Sequence, residues 1–120
     1  MTRAQAPDGE SARKMLHITE AESVVLGALW RLGPLTPARL MQEVKQVQPW
    51  ADTTIKTLLA RLARKAAVAA ERTSGVLRYR ALIDRDAYVE AEVRALADRL
   101  FDGNEAALLA WLKAQIGASR

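Results

Sequence analysis

A chain of 120 residues without cysteine has room for one compact domain and an appendage; it excludes disulfides and thiolate metal sites, so an apolar core must hold it together. Half of the residues are apolar, enough for such a core, and the formal charge of +4 gives a field attractive to polyanions. The absence of cysteine fits a reducing, cytoplasmic setting.

Residues 1–14 are polar, carry Pro7 and Gly9, and read as a flexible N-terminal tail without the apolar run of a secretory signal. No stretch of about 18 apolar residues occurs anywhere, so no membrane span is expected. Order is expected from Met15. Thr19 and Glu22 have capping-box spacing, in which the hydroxyl serves an orphan amide and the carboxylate reaches back to the cap. A first helix is predicted to Leu32, with Val25, Leu29 and Leu32 on its buried stripe, Val24, Ala28 and Trp30 flanking it, and Gly33 closing it in the left-handed conformation.

Thr36-Pro37 starts a second helix, because threonine caps and proline at the first helical position loses only an amide that had no partner. Leu40, Met41, Val44 and Val47 form its apolar face, and Gln48-Pro49-Trp50 breaks it. A third helix is predicted from a cap at Asp52 to Lys65. Ile55, Leu58, Leu59 and Leu62 form its buried side, while Thr53, Lys56, Thr57, Ala60, Arg61 and Arg64 form a short, polar, basic outer face. Trp50 is expected to lock this helix against the second.

From Ala67 the period shortens. Val68 and Ala70, then Leu77, Tyr79 and Ala81, alternate around the turn signal Thr73-Ser74-Gly75, which predicts a two-stranded hairpin. An alanine-rich first strand leaves open a third helix that simply overruns. A fourth helix starts at Asp84 or Asp86, carries Val89, Val93, Leu96, Ala97 and Leu100, and ends at Asp102-Gly103. Asn104 caps a last helix with Ala107, Leu108, Trp111, Leu112 and Ile116. These two helices have no partner once the first three form their own core, and the same segment of a second copy supplies one.

Three helices and a hairpin, in that order, are the layout of a winged helix-turn-helix, so the expected fold is mainly α, with C-terminal dimerisation helices following the wing. The expected division is a DNA-binding domain over 15–83 and a dimerisation region over 84–120. Threonine hydroxyls bond base edges or phosphates, their methyls pack on thymine, and Lys or Arg bonds guanine or neutralises phosphate. The expected DNA contacts are Thr36, Thr53, Thr54, Lys56, Thr57, Arg61 and Arg64, with Arg72 and Arg78 at the wing. The expected dimer contacts are Val89, Val93, Leu96, Leu100, Leu108, Trp111 and Leu112. The function expected is a repressor acting as a homodimer on a palindromic operator in duplex DNA; the alternative is a winged-helix docking module that binds protein instead.

No catalytic constellation appears. Ser11, Ser23, Ser74 and Ser119 have no nucleophile-elbow context, there is no glycine-rich phosphate loop, and His17 is the single histidine. No enzyme activity, metal or cofactor is expected.

The segment Trp50-Ala51-Asp52-Thr53-Thr54-Ile55-Lys56-Thr57-Leu58-Leu59-Ala60-Arg61-Leu62 resembles the penicillinase-repressor (BlaI/MecI/CopY) family. So do Ile18-Thr19-Glu20-Ala21-Glu22, Leu29-Trp30, Gly33-Pro34-Leu35-Thr36 and Arg78-Tyr79 and, more loosely, Leu100-Phe101-Asp102-Gly103. The resemblance implies a homodimeric repressor of β-lactamase or copper-handling genes, relieved by a signal that, in the penicillinase branch, comes from an upstream sensor protein. Where that branch is cleaved at an Asn-Phe bond this chain reads Ala110-Trp111, and it lacks the C-terminal cysteines of the copper branch. It also has Ala66 where the family has glycine after the third helix, and no arginine after the wing glycine, Ser74-Gly75-Val76.

Overall fold

A computed structural model describes residues 18–118 as α1 (Glu20–Leu32), α2 (Pro37–Val47), α3 (Asp52–Arg64), β1 (Val68–Thr73), β2 (Val76–Ala81), α4 (Arg85–Leu100) and α5 (Glu105–Ala118). The expected tail, Met15 and His17 lie outside the described residues. The chain divides into two compact units, one through Arg85 and one from Asp86. None of the described helices is long and apolar enough to cross a membrane.

The first unit is a winged helix-turn-helix. Thr19 caps α1 with the full reciprocal box: its hydroxyl accepts from the Glu22 amide at 3.1 Å and its own amide donates to Glu22 Oε1 at 2.9 Å. At the other end Gly33 has φ 81° and ψ −164°, and its amide bonds the Leu29 carbonyl at 2.8 Å. That is positive φ with extended ψ, a region open essentially to glycine alone, and not the left-handed cap expected. Thr36 caps α2, accepting from the Arg39 amide at 3.3 Å with Pro37 behind it.

The core lies where α1, α2 and α3 meet: Val25, Leu26, Leu40, Val44, Ile55 and Leu62 are each at 0% exposure. Burying an aliphatic side chain of this size contributes about 1.5–3 kcal/mol before conformational entropy is charged against it. On α1 the expected Val25 and Leu29 are buried, but the stripe is wider and shorter than expected. Leu26 is in the core, whereas Leu32 is 45% exposed; on α2 Val47 is 51% exposed. Leu32 and Val47 are each the last residue of their helix, one turn past a residue that the core does bury, Leu29 on α1 and Val44 on α2.

The third helix stops where expected, and the overrun does not occur. The Ala66 amide bonds the Ala63 carbonyl at 3.0 Å and the Ala67 amide bonds the Leu62 carbonyl at 2.8 Å, the paired bonds of a Schellman cap, with Ala66 at φ 59° in the position that usually belongs to glycine. Ala67 and Val68 are buried and turn the chain into the wing. β1 and β2 pair antiparallel from Val68↔Ala81 to Thr73↔Val76, joined by Ser74 (φ 53°) and Gly75 (φ 79°). Two positive φ values in a two-residue loop make a type I′ turn, whose twist matches the strands. Val68, Ala70, Leu77, Tyr79 and Ala81 share a face in this register, as expected, although Ala70 is exposed.

A third, one-residue strand was not expected. Leu35 pairs with Tyr79 through two backbone hydrogen bonds, 3.1 and 2.8 Å, tying the turn before α2 to the wing. The Trp30 indole N–H donates to the Ile83 carbonyl at 2.8 Å, fastening α1 to the segment that leaves the wing.

In the second unit, Asp102 (φ 52°) and Gly103 (φ 79°) end α4, with the Gly103 amide on the Ala97 carbonyl at 3.0 Å. Asn104 caps α5, its Oδ1 accepting from the Ala107 amide at 3.0 Å. Arg94 bonds Glu90 at 2.8 Å and reaches Glu105 at 3.4 Å, clasping the two helices.

Candidate nucleic-acid interface

Leucine periodicity dictates which side of α3 faces out. With Ile55, Leu58, Leu59 and Leu62 turned inward, Thr53, Lys56, Thr57, Ala60, Arg61 and Arg64 are all exposed on the opposite side, and Thr54 is exposed at its margin. At 1.5 Å per residue the row from Thr53 to Arg64 is about 16 Å long, suited to a major groove about 12 Å wide. Lys56, Arg61 and Arg64 make no ion pair with any described residue, so their charge is available to phosphate or guanine. The Thr57 hydroxyl donates to the Thr53 carbonyl at 2.9 Å, which leaves its acceptor lone pairs unused on an exposed side chain.

The entry to α3 differs from the expectation. Ala51 occupies the N-cap and makes no side-chain bond, while Asp52, the first helical residue, forms an ion pair with Lys45 of α2. The Lys45 hydrogen bond and charge, with a smaller contribution from Lys56, hold the Asp52 carboxyl below its ordinary range. The local capping rule was outweighed by a cation from the preceding helix. This pair offsets the one acidic side chain at the end of the basic face.

Thr36 is half-buried, with its oxygen engaged as the α2 cap. On the wing, Arg72 folds back to donate to the Gly75 carbonyl at 3.1 Å, and Arg78 is exposed without an ion pair to any described residue. Arg80, absent from the sequence-based set, bonds both oxygens of Glu71 at 2.6 and 3.2 Å. That pair lowers the Glu71 carboxyl and raises the Arg80 guanidinium from their usual values. Among the described residues, Arg78 is therefore the wing cation without a partner, while Arg72 also supports the turn.

The most consequential residue that the sequence reading left as a cap is Glu22. It is 1% exposed, and besides Thr19 both its oxygens accept from Lys65 Nζ, at 2.7 and 2.9 Å. Burial pushes this carboxyl up; the bonds from Lys65 and Thr19 outweigh it and leave the group below its ordinary range. A trace was present in the chain, since Glu22 falls on the same helical stripe as Val25, Leu26 and Leu29.

Of the dimer contacts expected from the sequence, Val89, Val93, Leu100, Trp111 and Leu112 are exposed and Leu96 is half-buried. Leu108, at 6% exposure, is buried within the single chain and offers little to a second copy. Leu109 and Ile116, 53% and 63% exposed, present apolar surface in its place. No group of three or more His, Cys, Asp or Glu side chains that could hold a metal occurs among the described residues.

A family model described as Penicillinase repressor matches residues 18–120. The chain is 26% identical over 91 residues to the penicillinase repressor of Bacillus licheniformis, covering 76% of this chain and 71% of that protein. It is 29% identical over 83 residues to an uncharacterised 16.5 kDa protein from the ptsI 3′ region of Latilactobacillus sakei, covering 69% of this chain and 57% of that one. Among solved structures, the DNA-binding domain of the repressor BlaI matches with a TM-score of 0.52 at 28% identity, over 57% of this chain and 84% of that domain. A MarR family protein from Bacillus stearothermophilus matches 90% of this chain and 79% of its own with a TM-score of 0.51 at 24% identity, a likeness of fold alone.

Proposed function

The chain belongs to the penicillinase repressor family, and on that premise we propose that it represses transcription as a homodimer bound to a palindromic operator in duplex DNA. The observation that carries the reading is the outer face of α3, where Thr53, Lys56, Thr57, Arg61 and Arg64 stand together, exposed, above a leucine-built core. In this reading Thr53, Thr54, Lys56 and Thr57 address base edges from the N-terminal half of the helix, the part that enters the groove deepest. Arg61, Arg64 and Arg78 neutralise phosphates, and Thr36 with the α2 N-terminus and Arg72 contacts the backbone alongside. The exposed apolar side chains of α4 and α5 join two copies, so that two recognition helices address two half-sites about one duplex turn apart. Release by cleavage at Ala110-Trp111 has no support in the residues found there, and the inducing sensor is a separate protein of this reading.

Selection of bound duplexes from a random pool tests it. The expected product is a palindrome whose affinity falls with salt, log K against log salt having a slope of about −0.9 per phosphate neutralised. Replacing Lys56 and Thr57 together by alanine is expected to cut discrimination between the selected site and random duplex by about tenfold to a hundredfold, with the fold intact. Retained discrimination in that variant removes α3 from the recognition role; failure of the folded wild type to select any duplex removes DNA binding altogether and favours docking to protein.

A further inference from the structure

We propose that Glu22 is a positioning residue for DNA recognition: through Lys65 it sets where the recognition helix ends and where the wing begins. The inference rests on the reading of α3 as the helix that enters the groove.

Its carboxylate is almost wholly buried, at 1% exposure, and reaches across 43 residues of sequence to hold Lys65 Nζ with both oxygens, at 2.7 and 2.9 Å. A further bond, from the Thr19 amide at 2.9 Å, fixes the carboxylate itself at the start of α1. Lys65 is the C-cap of α3; the next two residues close the helix and Val68 opens the wing. The ion pair thus grips the junction from which both proposed DNA-contacting elements diverge.

Two features give the grip a purpose beyond stability. Glu22 is buried and Lys65 is half-buried, and an ion pair taken out of water to this extent is often no more stabilising than well-packed apolar groups of the same volume, so stability alone does not call for charge here. What the buried carboxylate adds is a demand for its cation: Lys65 cannot move away without leaving a charge stranded out of water, a constraint that sliding apolar contacts lack. The junction also needs such a constraint. Ala66 stands at φ 59°, where an alanine is disfavoured and glycine is the ordinary choice, so its conformation persists only when neighbours on both sides hold it. Lys65, anchored by Glu22, is the neighbour on one side; Ala67, at 0% exposure, is the other.

The test separates positioning from stability by removing both charges while keeping the volume. In the full chain, Glu22→Leu with Lys65→Met is compared with wild type for urea stability, affinity for the selected duplex, affinity for random duplex, and amide exchange at Ala66 and Ala67. Expected are near wild-type stability, at least tenfold weaker binding to the selected duplex, random-duplex affinity changed less than threefold, and at least tenfold faster exchange at those two amides. Wild-type affinity together with wild-type exchange in the stable double variant overturns the proposal. If the double variant does not fold, Glu22→Gln is compared with Leu40→Ala, a core variant, under conditions where both are fully folded. Loss of selective binding in the first alone sustains the proposal, and equal behaviour of the two overturns it. Because amide exchange needs no DNA, it distinguishes a failure of positioning from a failure of the DNA-binding reading.

Discussion

The two units of this chain use similar apolar residues in opposite ways. Through Arg85, aliphatic side chains from three helices converge, and Val25, Leu26, Leu40, Val44, Ile55 and Leu62 lose all contact with solvent. From Asp86 onward only Ala97 and Leu108 are buried among the described residues, while Leu100, Leu109, Trp111, Leu112 and Ile116 remain between 43% and 63% exposed. Three helices crossing one another can enclose a core, whereas two consecutive helices leave an outer face each. Apolar surface left in this way on a short chain marks a place where another surface belongs, and this asymmetry supports the assignment of the first unit to DNA and the second to self-association.

The largest effect is expected from separating the units. A chain ending at Arg85 should keep a cooperative thermal transition and sediment as a monomer, with affinity for a palindromic site reduced about 10²- to 10⁴-fold, since the second half-site no longer benefits from a tethered partner. An affinity within threefold of the full chain, or an unfolded fragment, would break the comparison. Next come paired truncations of side chains. Leu26→Ala should lower the stability of the first unit by about 2–5 kcal/mol, measured by urea unfolding, because it leaves a cavity where packing is complete. Ile116→Ala should change urea stability at limiting dilution by less than about 0.5 kcal/mol and weaken dimerisation in sedimentation equilibrium instead. The smallest effect sharpens the account of the junction: Ala66→Gly relieves the cost of positive φ and should stabilise the first unit by about 1 kcal/mol, seen as a raised urea midpoint at unchanged slope, with site affinity unaltered.

Much of the local structure in both units was legible in the order of residues. The Thr19–Glu22 box, Thr36-Pro37, Asn104 and Ser74-Gly75 are local devices whose partners lie within a few residues, and the structure uses each of them. The outward set on α3 was equally plain, because four apolar residues at helical spacing leave a single way to rotate the helix. Errors gathered where neighbours from elsewhere intervene. Asp52 was drawn from the cap to Lys45. Leu32 and Val47, on schedule by periodicity, project past the end of the core. On the wing, Arg80, absent from the sequence-based set, pairs with Glu71 of the facing strand.

Sequence alone therefore determined the order of the helices, the tight turn of the wing and the side that α3 turns to solvent, since helix periods, caps and tight turns act over a handful of residues; it left open whether β1 or a longer α3 would form. Only the folded chain decided that Glu22 meets Lys65, that Leu35 pairs with Tyr79, and that Trp30 reaches Ile83. Those contacts join distant segments, 43 residues apart in the first case and 53 in the last. Their geometry exists only after the helices have packed, because it is the shared core, and no property of either segment by itself, that brings the partners within hydrogen-bonding distance.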